Sequence, residues 1–216
     1  MRIKELARRI DHTLLRQDAT EKEIDALCDE ALEYGAASVC IPPCHVARAK
    51  ERLRGKVAVC TVVGFPEGYS TSAAKAAETR DAVENGADEI DMVMNVAALK
   101  SGREDLVTAD VTAVRAACAG KTLKVILECC LLTDGEKRAA CRCAAKGGAD
   151  YVKTSTGFST GGATVEDVRL MRASIPNTMK VKAAGGIRTV EQAEAFIAAG
   201  ADRIGSSGVL RSLKRV

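Results

Sequence analysis

Apolar residues along the chain fall into short β-branched runs separated by Ala-rich amphipathic stretches, and the alternation repeats. Four segments mark its rhythm: YGAASV around Gly35, NGADEI around Gly86, GGADYV around Gly148 and AGADRI around Gly200. In each, a helical pattern stops at a glycine, two small or acidic residues follow, and an apolar strand pattern begins. Glycine takes the left-handed conformation of a helix C-terminus at low cost, so each segment reads as a helix-to-strand turn. The four glycines lie about fifty to sixty residues apart, roughly twice the length of one strand–helix unit, so each interval holds two.

Read this way, the sequence predicts strands at 10–14, 38–42, 57–64, 89–95, 123–129, 151–155, 180–185 and 203–206. Between them run patterned helices at 20–34, 70–85, 134–146, 164–173 and 189–199, among others. Eight strands alternating with helices in 216 residues is the pattern of a small (β/α)8 TIM barrel, an α/β fold. A doubly wound open sheet would alternate similarly. Against it, no GxGxxG follows the first strand, and the third is followed by GFPEGYST. No linker, low-complexity tract or compositional break interrupts residues 1–216, which read as one barrel domain.

Composition narrows the functional classes. Hydrophobic residues make up 47% but aromatics only 3%, with no Trp, so Ala, Val, Ile and Leu must fill the core, as in parallel-sheet proteins. The net charge of +3 arises from 32 basic and 29 acidic residues mixed along the chain, which is no footprint for nucleic acid. The amphipathic, mixed-charge start MRIKELARRIDHT and the lack of a long apolar run predict no membrane span and no export signal. Nine cysteines without a spaced framework fit a reducing cytoplasm. They include no CxxC pair, and the chain has two histidines, so no metal and no cofactor is expected.

Candidate chemistry lies on the strands. A barrel interior is packed with branched apolar side chains, so charged residues on inward faces are candidates for catalysis. Four stand out: Asp11 in IDHTLL, Asp91 in DEIDMVMN, Lys153 in YVKTST and Lys182 in KVKAAGG. Alternation along a strand puts Tyr151, Lys153 and Ser155 on one face, and Lys180, Lys182 and Ala184 on another. The two central lysines meet if both faces point inward, with Lys180 left near the barrel's bottom or at its solvent entrance. A buried salt bridge such as Asp91 with Lys182 would also explain these charges. Two lysines with a carboxylate favour chemistry, because an amine crowded by a second ammonium in a partly dry site gives up its proton more readily and can attack a carbonyl.

Gly185-Gly186 after the seventh strand and GSSG (Gly205, Ser206, Ser207, Gly208) after the eighth form a second group. Loops in these places commonly bind phosphate through backbone N–H groups. An isolated Gly-Gly is more often a tight turn, but the two loops together favour phosphate. Cys40 could face the site or be a small buried hydrophobe. His12 could orient Asp11, His45 reads as a helix start, Glu128 could buffer a lysine charge, and KSGREDL reads as a solvated loop and helix start.

The motifs IDHTLL, VVGFPEG, DEIDMVMNVAALKSG, KVILE, YVKTSTGF and VKAAGGIRT run in order across nearly the whole chain. Together they closely resemble the 2-deoxyribose-5-phosphate aldolase family, and KTSTGF with KAAGGIR is a specific combination. The resemblance implies a (β/α)8 fold and a metal-free aldolase of deoxynucleoside breakdown that forms a Schiff base. It implies Lys153 as the imine-forming nucleophile, Lys182 as the lysine that tunes it, and Asp91 as a proton donor and acceptor working through water. Asp11 and Cys40 match positions at the rim of the site, and Gly185, Gly186, Ser206 and Ser207 the phosphate grip. Phe158 stands where some relatives carry a lysine that helps the phosphate, so here the grip must rely on backbone and Ser206-Ser207. The expected partner is a small phosphorylated sugar, with no nucleic acid or membrane, in a homodimer or homotetramer. The alternatives are a lysine-dependent barrel aldolase with another carbonyl donor, or a barrel that only binds a phosphorylated ligand.

Overall fold

Threonines start most of the long helices. Thr20, Thr71, Thr133, Thr164 and Thr189 each accept a hydrogen bond from the backbone N–H three residues on, which satisfies a donor the helix itself leaves free. At Thr20, Thr133 and Thr189 the third helical residue, Glu23, Glu136 or Gln192, returns a bond to the cap backbone, completing a capping box.

The computed structural model describes residues 3–213. Its strands are β1 (Ile10–Thr13), β2 (Ser38–Ile41), β3 (Ala58–Val63), β4 (Glu89–Val93), β5 (Thr122–Ile126), β6 (Tyr151–Lys153), β7 (Lys180–Ala184) and β8 (Arg203–Ser206). The longer helices are α2 (Glu21–Tyr34), α3 (Val46–Leu53), α4 (Ser72–Glu84), α6 (Glu104–Ala117), α7 (Asp134–Lys146), α8 (Val165–Ser174) and α9 (Val190–Ala198). Short helices α1 (Ile3–Ala7), α5 (Val96–Lys100) and α10 (Val209–Ser212) complete the set. All eight strands pair in parallel with their sequence neighbours, and β8 pairs with β1, so the sheet closes into the barrel that the alternation predicts. Among the described residues no helix is long and apolar enough to cross a membrane.

The fourfold repeat has a structural explanation. Gly35, Gly86, Gly148 and Gly200 all have positive φ, between 66° and 110°. The residue after each donates back into the preceding helix, as Ala87 N–H does to the Ala82 carbonyl at 2.9 Å. The repeated aspartates Asp88, Asp150 and Asp202 then reach the preceding strand: their Oδ2 atoms accept from the backbone N–H of Val59, Leu123 and Val181 at 3.0, 2.8 and 2.9 Å. Each glycine turn therefore starts an even-numbered strand, and at the last three an aspartate staples it to the odd-numbered strand before it. The apolar core lies between barrel and helices, with Val39, Val59, Ile90, Val125, Val152, Val181 and Ile204 fully buried. Three strands end two or more residues earlier than the apolar pattern suggests. β4 stops at Val93, β6 at Lys153, and β5 at Ile126, after which the chain turns at Glu128, a non-glycine residue with φ 56°.

Candidate active site

Strand alternation turns Asp11, Asp91, Lys153 and Lys182 into the barrel, where their side chains meet. Asp91 Oδ2 accepts from Lys153 Nζ at 2.9 Å and from Lys182 Nζ at 2.7 Å. Lys182 Nζ also contacts Asp11 Oδ2 at 2.5 Å. The lysines are register partners on β6 and β7, but a carboxylate sits between their ammonium groups, an arrangement that the pairing of two lysines does not reveal. Gly205 makes room for it: a Cβ there would lie 3.1 Å from Lys182 Cε and 2.9 Å from the Ala184 Cβ.

Sequence reasoning missed four members of this network, Lys124, Arg203, Ser38 and Glu89. Lys124 on β5 donates to Asp91 Oδ1 at 2.8 Å and to Glu89 Oε2 at 2.5 Å. Arg203 on β8 holds Asp11 Oδ1 at 2.5 Å and reaches Glu89 at 3.4 Å, and Ser38 Oγ donates to the same Asp11 oxygen at 2.7 Å. The signal was present at Lys124, a lone lysine in the apolar run LKVIL, the same cue that singles out Lys153. At the bottom the Tyr151 ring lies under Lys180, Arg203 and Lys124, at 5.6, 5.7 and 6.0 Å, with Lys180 exposed as expected.

These contacts shift the proton equilibria of Asp91, Asp11, Lys182 and Lys124. Burial alone would raise the Asp91 carboxyl, but Lys124, Lys153 and Lys182 outweigh it and hold Asp91 well below the ordinary carboxylate value. Burial would likewise raise Asp11, which Lys182, Lys124 and Arg203 hold down. Burial would lower Lys182, but Asp11 and Asp91 hold it above the ordinary lysine value, and Lys124 is raised by the same balance with Asp91, Cys60 and Glu89. At these four groups nearby opposite charges thus override desolvation.

A cavity of about 490 Å³ opens at the C-terminal ends of the strands. Lys153 lines it, together with Thr156, Gly185, Gly186, Arg188 and Ser207. Lys182 and Asp91, both fully buried, lie behind Lys153. Gly185 and Gly186 have φ of 93° and 78°, and a Cβ on Gly185 would meet the Gly162 Cα at 3.0 Å, so the backbone comes to the cavity wall bare. Ser206 also lines the cavity, but its hydroxyl donates to the Ile187 carbonyl at 2.6 Å and accepts from the Gly208 and Val209 N–H groups at 3.1 Å, so it ties the last two loops together. Ser207 is exposed.

Arg188, in GGIRT, is a further omission of the sequence reading. Arg16 pairs with Asp18 at 2.7 Å, Arg211 with Glu30 at 3.0 Å and Lys153 with Asp91, whereas Arg188 forms no ion pair among the described residues. The cavity wall therefore holds a free cation beside the glycine turns.

Asp11 and Cys40 do not lie at a rim. Asp11 is the second residue of β1 and Cys40 is next to last in β2, so both are enclosed and fully buried. Cys40 is the register partner of Cys60, with Val62 packed beside them, and its thiol is held below the ordinary value by Cys60 despite burial. His12 faces the opposite side of β1 from Asp11 and bonds Glu30 Oε2 at 2.7 Å, so it does not orient Asp11. His45 caps the start of α3, as expected. Glu128 buffers no lysine; its carboxylate bonds Thr156.

Two groups of potential metal ligands arise by proximity: Cys40, Cys60 and Asp91, and Asp11, Cys60 and Glu89, each with three donor atoms within 4.8 Å of one another. Both draw on carboxylates already engaged by ammonium or guanidinium groups, and a cation there would compete with those fixed charges. The donor set suits a charge network better than a coordination shell.

A closed barrel with an amine at the floor of an anion-friendly cavity defines a lysine-centred enzyme of the Schiff-base kind. Comparison with known proteins agrees with this class. Residues 6–214 match the model of the DeoC/LacD family aldolases. The deoxyribose-phosphate aldolase of Streptococcus pneumoniae is 60% identical over 206 residues, covering 95% of this chain and 94% of that one. Two solved structures are similar throughout: an aldolase designated QR15, 38% identical with TM-score 0.93, covering 98% of this chain and 96% of that one, and the tetrameric deoxyribose phosphate aldolase of Aeropyrum pernix, 36% identical with TM-score 0.89, covering 98% and 92%. The chain belongs to the DeoC/LacD aldolase family.

Proposed function

We propose that this chain, acting as one barrel domain, cleaves 2-deoxy-D-ribose 5-phosphate reversibly to D-glyceraldehyde 3-phosphate and acetaldehyde through a Schiff base on Lys153. One observation carries the assignment of the lysine. Lys153 reaches the cavity, whereas Lys182 is sealed behind it and held as an ammonium by Asp11 and Asp91. An ammonium has no lone pair with which to attack a carbonyl.

In cleavage, the Lys153 amine adds to C1 of the open-chain sugar and water leaves, giving a protonated imine. That cation accepts the electron pair of the C2–C3 bond as it breaks; the C3 hydroxyl loses its proton and becomes the aldehyde of glyceraldehyde 3-phosphate. The enamine left on Lys153 takes a proton at C2, and water hydrolyses the imine to acetaldehyde and free amine. Asp91, in contact with both lysine Nζ atoms, is the proton carrier, and Lys182 is the charge that keeps Asp91 ionised between transfers. General acid–base assistance of this kind contributes about a hundredfold to ten-thousandfold. The bare Gly185-Gly186 turn, Ser207 and Arg188 hold the phosphate.

A homodimer or homotetramer is the expected assembly, supported by the tetrameric Aeropyrum pernix relative. A cytoplasmic location is supported by nine cysteines without a disulfide. The test is acetaldehyde release from 2-deoxy-D-ribose 5-phosphate, coupled with borohydride trapping of acetaldehyde and peptide mapping. A reduced two-carbon adduct on Lys153 is the expected result; no release, or an adduct on Lys182, overturns the proposal.

A further inference from the structure

Glu128 stands apart from the other buried acids near the site. It is 4% exposed and forms no ion pair among the described residues. Its backbone lies in the left-handed region, φ 56° and ψ 62°, where a residue with a Cβ is strained. The β5–β6 pairing holds it there: Leu127 N–H donates to the Lys153 carbonyl and Cys129 N–H to the Thr154 carbonyl, both at 2.9 Å. Glycine would take this backbone without strain, so what position 128 adds is the carboxylate.

That carboxylate holds one residue of the loop after Lys153. Glu128 Oε2 accepts from Thr156 Oγ1 at 2.5 Å, and Oε1 accepts from the Thr156 backbone N–H at 3.2 Å. Thr156 Oγ1 accepts in turn from the Phe158 N–H at 3.0 Å, which closes the turn Thr156-Gly157-Phe158. All three residues of that turn line the large cavity with Lys153. The Phe158 ring then meets Phe65 edge to face, 5.3 Å between centroids at 83°, and Thr156 and Phe158 also border a second cavity of about 110 Å³. The turn is thus the partition between two cavities at the barrel mouth, and no strand hydrogen bond fixes it, because β6 ends at Lys153.

We propose that Glu128 is a positioning residue: through paired hydrogen bonds to Thr156 it sets the turn 156–158 that walls the substrate cavity beside Lys153. It touches neither Lys153 nor the reacting atoms, so its contribution lies in binding the phosphorylated sugar rather than in imine chemistry. The inference rests on the reading of Lys153 as the imine-forming residue.

The test compares Glu128→Gln, whose amide oxygen can still accept from Thr156, with Glu128→Gly, which suits the backbone but removes the acceptor. For each, KM and kcat are measured with 2-deoxy-D-ribose 5-phosphate, and borohydride trapping of acetaldehyde is mapped to peptides. Glu128→Gly raises KM on the order of tenfold while kcat changes less than about threefold, as loss of paired buried hydrogen bonds outside the reacting centre predicts. Its adduct on Lys153 persists. Glu128→Gln stays within about twofold of the parent in both constants. An unchanged KM in Glu128→Gly overturns the proposal, and so does a Glu128→Gln variant as impaired as Glu128→Gly, which would assign the effect to charge. An unsubstituted protein that forms no adduct on Lys153 overturns the underlying site reading instead, whatever the Glu128 variants do to KM.

Discussion

The barrel interior and the barrel mouth solve opposite problems. Inside, Asp11, Glu89, Asp91, Lys124, Lys153, Lys182 and Arg203 form a dry network in which each charge is held by others from different strands. At the mouth the polar groups are left open: Ser207 is exposed, Arg188 has no ion pair among the described residues, and Gly185 and Gly186 present bare backbone. A buried charge without a partner is costly, so an interior change that strips a charge of its partners costs stability. A surface loop with unpaired donors costs little and keeps its hydrogen bonds for a ligand. Lys153 is the point where the two regimes join: its Nζ contacts Asp91 on one side and its side chain lines the cavity on the other.

Substitutions that break this contrast should differ in kind. The largest effect is expected from Lys153→Ala, which removes all measurable turnover and the borohydride adduct while leaving a folded protein, because Asp91 keeps Lys124 and Lys182 as partners. Activity that survives in this variant would place the chemistry elsewhere. Lys182→Met should lower kcat by about a hundredfold to ten-thousandfold. It should also lose roughly 3–5 kcal/mol in urea unfolding, because it takes an ammonium from both Asp11 and Asp91. A Lys182→Met protein as stable as the parent would mean the interior is not the tightly coupled network described.

At the mouth, Ser207→Asp should raise KM for the phosphorylated sugar by about tenfold to a hundredfold through charge repulsion, with acetaldehyde trapping on Lys153 unchanged. Equal damage to both would make the loop a structural element. A smaller effect is the pH dependence of stability. Asp91 and Asp11 are held below the ordinary carboxylate value, so their contribution is complete above about pH 4 and falls away as pH drops through the lower folded values. Lys124 and Lys182 are raised, so theirs is complete below about pH 10 and is lost as pH rises through the higher folded values. Burial holds His12 below its ordinary value of 6.5 despite Glu30, which adds a modest loss that starts as pH falls through that value. Burial also raises the thiols of Cys28, Cys118, Cys129, Cys141 and Cys143, so their contribution begins to be lost as pH rises through the ordinary thiol value of 9.0. Urea midpoints should therefore be level from about pH 7 to 8 and decline on both sides; a midpoint rising toward pH 5 would contradict these assignments. The smallest effect, no change, is expected from exhaustive chelation, and lost turnover restored by a divalent ion would point to a metal-bound enolate.

Much of the site was legible because the cues were local. A lysine inside an apolar strand run identifies Lys153 and Lys182, and strand alternation predicts that both point inward. Lys124 carries the same cue; what made it hard to place was that its partners, Glu89, Asp91 and Cys60, sit on other strands. Arg203 lies at the start of β8, where a charged residue ordinarily faces solvent, and only barrel closure turns it toward Asp11 and Glu89. Ser206 and Ser207 look equivalent in GSSG. They differ because the first is the last residue of β8 and finds the Ile187 carbonyl across the seventh loop.

The sequence by itself determined the period of the fold, the strands and helices, and the residues able to do chemistry. Glycine C-caps, threonine N-caps and the alternation of apolar side chains act within a few residues of one another, so they can be read along the chain. Tertiary structure alone decided that Asp91 sits between the two lysines, that Lys153 and not Lys182 meets the cavity, that Asp11 lies in the sealed interior, and that Glu128 reaches Thr156. Each of these depends on how far a side chain stands from groups on other strands and from water, and those distances exist only once eight strands have closed into a barrel.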